Sequence, residues 1–260
     1  MKNLFDSFRE KVKKYPVVWY AWYLATGRTP EKREYIVEDE QKVAYLMKSK
    51  AACSSIMVSM LRKKDVADDY SIHYFDDHSR MREDLFSDED WFKFTFVRNP
   101  FSRLVSCYER KYHADRKFLG KTKEILDFDE YLGGYMKEDK GFAHFVGQVV
   151  KIPDHFADRH FRSQYRLLAG KAKKPAFDFI GKMERLEEEY RPIQEKYGFD
   201  PIRIYNRVEY GDWRDYYTED LARKVFRKYK KDVEFFGYEQ EYRDLLSHCM
   251  SSVTVSSSVH

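Results

Sequence analysis

Between about residues 42 and 240 the hydrophobic positions alternate between two spacings. "KVAYLMK" (42–48), "YSIHYF" (70–75), "FKFTFV" (92–97) and "FDFIGK" (177–182) are short apolar runs rich in β-branched and aromatic residues. Runs of this length and composition predict buried strands. Helical spacing marks "SIMVSMLRKK" (55–64), residues 101–117, "RLEEEYRPIQEKYG" (185–198) and "TEDLARKVFRKYKKDVEFFG" (218–237). The last two close on a glycine, the residue that most readily takes the left-handed conformation past a helix end. A charged helical stretch after residue 75 and a helical middle section complete the alternation. The pattern predicts an α/β fold, a single domain whose mostly parallel central sheet is flanked by helices. Ligands in such sheets sit at the carboxyl ends of strands. The loops after Lys48 and after Val97 both fall there.

Composition narrows the picture. The chain has 260 residues, with 21 Tyr and 20 Phe, enough to bury a large core. Charged residues make up 35%, yet the net charge is only +4. That balance argues against nucleic-acid binding, which needs a concentrated basic stripe, and suits a local pocket for a small anion. The Lys/Arg run "RKVFRKYKK" is interleaved with acids and reads as a solvated helix face. Cys53, Cys107 and Cys249 lack CxxC spacing, which predicts neither zinc site nor disulfide framework but reduced thiols in a cytoplasmic protein. "PVVWYAWYLA" (16–25) has ten residues, against roughly 20 needed to span a bilayer. It reads as an aromatic helix packed on the domain. Residues 1–40 are thus expected to form an N-terminal helical and aromatic extension, 41–247 the main domain, and the Ser/Val-rich 248–260 a flexible tail.

Two segments carry anion chemistry. In "KSKAACSS" (48–55) small residues Ala51, Ala52, Cys53, Ser54 and Ser55 stand between strand and helix, with Lys50 as the charge. Phosphate cradles need close backbone approach and a helix start behind them. The second is "FVRNPFSRLVSCY" (96–108). Asn99 suits the N-cap and Pro100 the first helical position. Phe101, Leu104, Val105, Tyr108 and Tyr112 form the apolar stripe, and Arg103, Ser106 and Arg110 share another face. Arg98 ends the strand beside the helix start, and Ser106 lies about 10 Å along the helix at ~1.5 Å per residue. Arg98 and Ser106 can hold one phosphate between them. "DRKFLGKT" (115–122) mimics a nucleotide loop, but Asp115 replaces its first glycine and no strand precedes it.

These residues resemble the carbohydrate-type sulfotransferases, a family that includes chondroitin, dermatan and heparan 2-O enzymes with bacterial relatives. The resemblance runs on through "RHFRSQYRLL" (159–168), "FDFIGKMERLEEEY" (177–190) and "YYTEDLARKVFRKYKKDVEFFGYE" (216–239). It implies a P-loop-kinase-like sulfotransferase architecture and 3′-phosphoadenosine 5′-phosphosulfate (PAPS) as sulfuryl donor. "KAACSS" becomes the 5′-phosphosulfate loop, Arg98 and Ser106 the 3′-phosphate site, and Arg207 a further nucleotide contact. Ser49 replaces a proline common in relatives, which leaves Lys48 and Lys50 both as candidates for the sulfate. The reaction expected is in-line transfer to an acceptor hydroxyl of an oligosaccharide, with a phenol or other small molecule as the alternative. Lys50 would stabilise the leaving phosphate. The base is expected at His78, with His160 and His73 or an acidic residue as alternatives. His160 also stands as a candidate acceptor contact. His155, Asp158 and His160 fit no standard metal spacing, so no metal is expected. A nucleotide kinase would need a glycine-rich loop and a magnesium-binding acid, neither of which is visible.

Overall fold

The computed structural model describes residues 15–26, 34–62, 79–80, 85, 88–113, 131–137, 140–168, 177–205 and 210–256. The strand expected at 70–75, the end of the helix expected at 101–117 and the segment 115–122 lie wholly or partly outside these residues. Among them, the three cysteines form no disulfide, and no helix is long and apolar enough to cross a membrane.

The elements follow in the order α1 (Pro16–Thr26), β1 (Tyr35–Glu38), β2 (Val43–Leu46), α2 (Cys53–Met60), β3 (Ser79–Arg80), β4 (Phe92–Val97) and α3 (Pro100–Cys107). Then come α4 (Phe142–Val149), α5 (Tyr165–Leu168), β5 (Phe179–Lys182), α6 (Leu186–Tyr197), α7 (Glu219–Phe236) and α8 (Glu239–Ser256). The sheet order is β3-β1-β2-β4-β5. β2, β4 and β5 pair in parallel, and β1 pairs antiparallel with both β2 and β3. Four of the five strands therefore point the same way, and β1 alone runs against them.

β1 corrects the sequence reading, which left residues 1–40 outside the sheet. Tyr35 and Ile36 are fully buried and lie in register with Leu46 and Tyr45. The strand was hidden by its charged flanks, "KRE" before it and "EDE" after it. At the other end, α8 carries helix through Ser256, beyond the point where the tail was expected to fray. Buried Leu245 and Cys249 anchor it to the core.

Side chains alternate across the sheet, as the strand period requires. Val43, Tyr45, Phe94 and Phe96 face α2 and α6, meeting Ile56, Met57, Tyr190 and Ile193. Ala44, Leu46 and Val97 face the larger core built from α3, α4, α7 and α8. Helices thus cover both faces of the sheet. β5 lies so close to β4 that a Cβ on Gly181 would fall less than 3.0 Å from three carbons of the Phe96 ring. The basic face of α7 is interleaved with acids, through Arg223–Glu219, Lys224–Asp220 and Lys230–Glu234 pairs one turn apart.

Candidate functional site

The loops after β2 and β4 come together at the carboxyl edge of the sheet. After β2 the chain makes a turn closed by the Ala51 N–H on the Lys48 carbonyl at 3.2 Å. Lys50 and Ala52 then take positive φ, 69° and 58°. Non-glycine residues seldom adopt that conformation, and its clustering marks functional loops. Ala52 enters α2 without a side-chain cap. The first N–H groups of that helix have no intrahelical acceptor, and the loop before it turns sharply without any glycine.

Not every polar residue of this loop is open to solvent. Ser55 is 2% exposed, and its Oγ accepts the Tyr205 N–H at 3.1 Å. Ser55 Oγ thereby also anchors the chain at Tyr205. Lys48 is 3% exposed and lies within the fold, whereas Lys50 and Ser54 stay partly open.

The end of β4 is built as its sequence predicted. Asn99 caps α3, its side chain accepting the Phe101 N–H at 2.9 Å, with Pro100 at the first helical position. Arg98 reaches across to the β2 loop. It donates to the Lys50 carbonyl at 3.4 Å, to Tyr210 Oη at 2.9 Å and to Ser102 Oγ at 3.1 Å. Ser106 stands one turn beyond Ser102 on the same helix face and is 7% exposed.

Three buried side chains hold this arrangement, and none announces its role in the sequence. Gln164 grips the Arg98 backbone at both groups, accepting the N–H at 3.0 Å and donating to the carbonyl at 2.7 Å. Asp232 of α7 fixes that segment in turn by accepting the Gln164 and Tyr165 N–H groups, each at 2.8 Å. Arg103 was expected on a helix face distinct from the buried stripe, but all eight residues of α3 are buried. Its guanidinium donates to the carbonyls of Ser49 (3.1 Å), Arg162 (2.8 Å) and Arg159 (2.9 Å). It thereby clamps the β2 loop to the segment 159–162.

Burial lowers the Lys50 pKa to about 7; Lys111, Arg98 and Arg110 add repulsion against a partial offset from Cys107. Burial pushes the Cys107 thiol up to about 12. Lys111, Arg98 and Arg110 thus all act on Lys50 from nearby, and an anion bound against Lys50 would favour its charged form. Burial likewise holds the His160 imidazole down, to about 3, and the ring stays neutral. His78, His73 and Arg207 lie outside the described residues.

A model of the sulfotransferase family matches residues 33–239 of the chain. Among curated proteins, carbohydrate sulfotransferase 14 of Danio rerio is 27% identical over 236 residues, covering 78% of this chain and 61% of the relative. The Homo sapiens protein of that name is 28% identical over 189 residues, covering 67% and 49%. Carbohydrate sulfotransferase 12 of Xenopus laevis is 26% identical over 177 residues, covering 60% and 41%. The chain spans about two-fifths to three-fifths of the length of these relatives. No solved structure matches it. With four-fifths of its residues inside the family match, the chain belongs to the sulfotransferase family.

Proposed function

We propose that this protein transfers the sulfuryl group of PAPS to a hydroxyl of a carbohydrate. The observation that carries the reading is the meeting of Lys50 and Arg98 over one concave, glycine-free loop, joined by the hydrogen bond from Arg98 to the Lys50 carbonyl. The residues fit a bisphosphorylated donor. Positive backbone conformations at 50 and 52, the uncapped start of α2 and the Lys50 ammonium suit the 5′-phosphosulfate. Arg98 at the end of β4, with Ser106 on the helix that follows, suits the 3′-phosphate, and the resemblance adds Arg207 as a further nucleotide contact. The acceptor class rests on the relatives, whose names specify carbohydrate.

In this mechanism the acceptor oxygen attacks sulfur in line with the oxygen bridging to the 5′-phosphate. Negative charge grows on that bridging oxygen as its bond to sulfur breaks. Lys50 is the cation beside it and stabilises that charge most in the transition state. Its low pKa when alone becomes an advantage: a bound dianion returns the proton to Lys50 as it is needed.

Incubation with sulfur-labelled PAPS tests the proposal, with desulfated chondroitin, p-nitrophenol or no acceptor added. Label in the polymer alone is expected. Transfer to the phenol alone would replace the carbohydrate reading, and failure with every acceptor would remove the activity.

A further inference from the structure

The turn after α4 contains a carboxylate–imidazole pair that the donor site does not use. Asp158 Oδ1 accepts the His160 backbone N–H at 2.9 Å and lies 2.6 Å from His160 Nδ1. A carboxylate can only accept here, so the proton of the neutral ring sits on Nδ1 and the Nε2 lone pair is left open. The side chains are 8% and 1% exposed. Nε2 makes no hydrogen bond among the described residues and is not one of the fully enclosed polar atoms. It therefore lies on the part of the ring that solvent still reaches.

The position of this pair gives it a use. Arg103 donates at once to the carbonyls of Ser49, beside Lys50, and Arg159, beside His160. Two hydrogen bonds and the width of one guanidinium put those carbonyls within about 8 Å of each other. Lys50 and Asp158 both act electrostatically on the buried Cys107 thiol. The charged groups acting on His160 are Asp158 in its own turn, Arg159 next to it, and Lys111 from the helical turn following α3.

We infer that His160 is the general base of the transfer reaction and that Asp158 is its positioning residue. This rests on the sulfotransferase reading above and moves the base away from His78. The acceptor O–H gives its proton to His160 Nε2 as the oxygen forms its bond to sulfur. The bond from sulfur to the bridging oxygen breaks, and its electron pair leaves with the 5′-phosphate beside Lys50. The products are a sulfate ester, the 3′,5′-bisphosphate and an imidazolium whose Nδ1–H is held by the Asp158 carboxylate. That proton then passes to solvent.

The test uses His160→Asn, whose Nδ2 can keep the hydrogen bond to Asp158 while the base is removed, beside Asp158→Asn. Transfer from labelled PAPS to desulfated chondroitin gives kcat and KM, and the melting shift with 3′-phosphoadenosine 5′-phosphate reports the donor site separately. Loss of a base lowers turnover by about 10²–10⁴-fold. We expect that loss in kcat for His160→Asn, a smaller loss for Asp158→Asn, and unchanged donor KM and melting shift in both. Near wild-type kcat in His160→Asn would overturn the assignment, as would loss of kcat together with the melting shift, the mark of a structural role. If His160→Asn does not fold, Asp158→Asn decides alone: a kcat loss with intact donor binding supports the pair, and unchanged kcat rejects it. Wild-type protein that transfers nothing would sink the function itself, and the base with it.

Discussion

If Lys50 faces the donor as proposed, binding of a 3′,5′-bisphosphate is a proton-linked event above neutral pH. In the free protein its pKa is lowered to about 7, first by burial, whereas the ordinary value is 10.5. At pH 8 about nine-tenths of the free protein then carries neutral Lys50. A 3′,5′-bisphosphate recovers the ammonium, so binding takes up about 0.9 proton at pH 8. Affinity should fall nearly tenfold between pH 8 and pH 9, which is about 1.4 kcal/mol. The phosphates themselves finish ionising below this window, their second pKa lying near 6. Titration calorimetry with 3′-phosphoadenosine 5′-phosphate, in two buffers of different ionisation enthalpy, counts the protons directly. Lys50→Met should abolish the uptake and flatten the pH dependence. The ligand-free protein carries the same linkage with the opposite consequence for pH. Unfolded, Lys50 keeps its proton to about 10.5; folded, it releases it near 7, so folding stability rises with pH between those values. A pH-independent affinity with no proton uptake would refute the placement of Lys50 against the donor.

Two further changes test the frame. Gly181→Ala places a methyl group against the buried Phe96 ring, which Phe94, Phe179 and Tyr190 surround. Overpacking of this kind costs about 1–3 kcal/mol, so calorimetry should show the melting temperature lowered by roughly 3–10 °C. Gln164→Leu strips both hydrogen bonds from the Arg98 backbone; with two buried groups left unsatisfied at about 1–3 kcal/mol each, it should lower stability by more than Gly181→Ala and also weaken binding of 3′-phosphoadenosine 5′-phosphate in the same calorimeter.

The parts of the fold that were legible in the sequence are those with a local signature. β4 stands as a six-residue apolar run, and Asn99-Pro100 marks the start of α3 because cap and first position have fixed chemical requirements. Thr218 and Gly237 bracket α7 for the same reason. β1 escaped notice because only four residues carry its pattern, and its stability comes from pairing with β2 rather than from its own composition. Arg98 was legible as a strand-end cation, and the loop after β2 as a cradle. Its inward turn at Ser55 was not, since the partner, Tyr205, is 150 residues away. Arg103 and Gln164 are silent for a related reason. Their partners are backbone groups 54 or more residues away in the chain, and a hydrogen bond to a backbone group leaves no residue type to recognise. His160 was legible as an alternative base and acceptor contact, but its pairing with Asp158 was not, because spacing alone does not reveal that the carboxylate faces Nδ1.

The central claim is that Arg98 ends β4 in order to hold a 3′-phosphate, and the difference between two nucleotides tests it most directly. Melting temperatures of the wild-type protein and of Arg98→Ala are measured with 3′-phosphoadenosine 5′-phosphate, with ADP and with no ligand. Ligand at 100 times its dissociation constant adds about 2.7 kcal/mol, or roughly 5–10 °C for a chain of this size. The account predicts a shift of that order with the 3′-phosphorylated nucleotide, little with ADP, and loss of the difference in Arg98→Ala. Equal shifts with both nucleotides would contradict it.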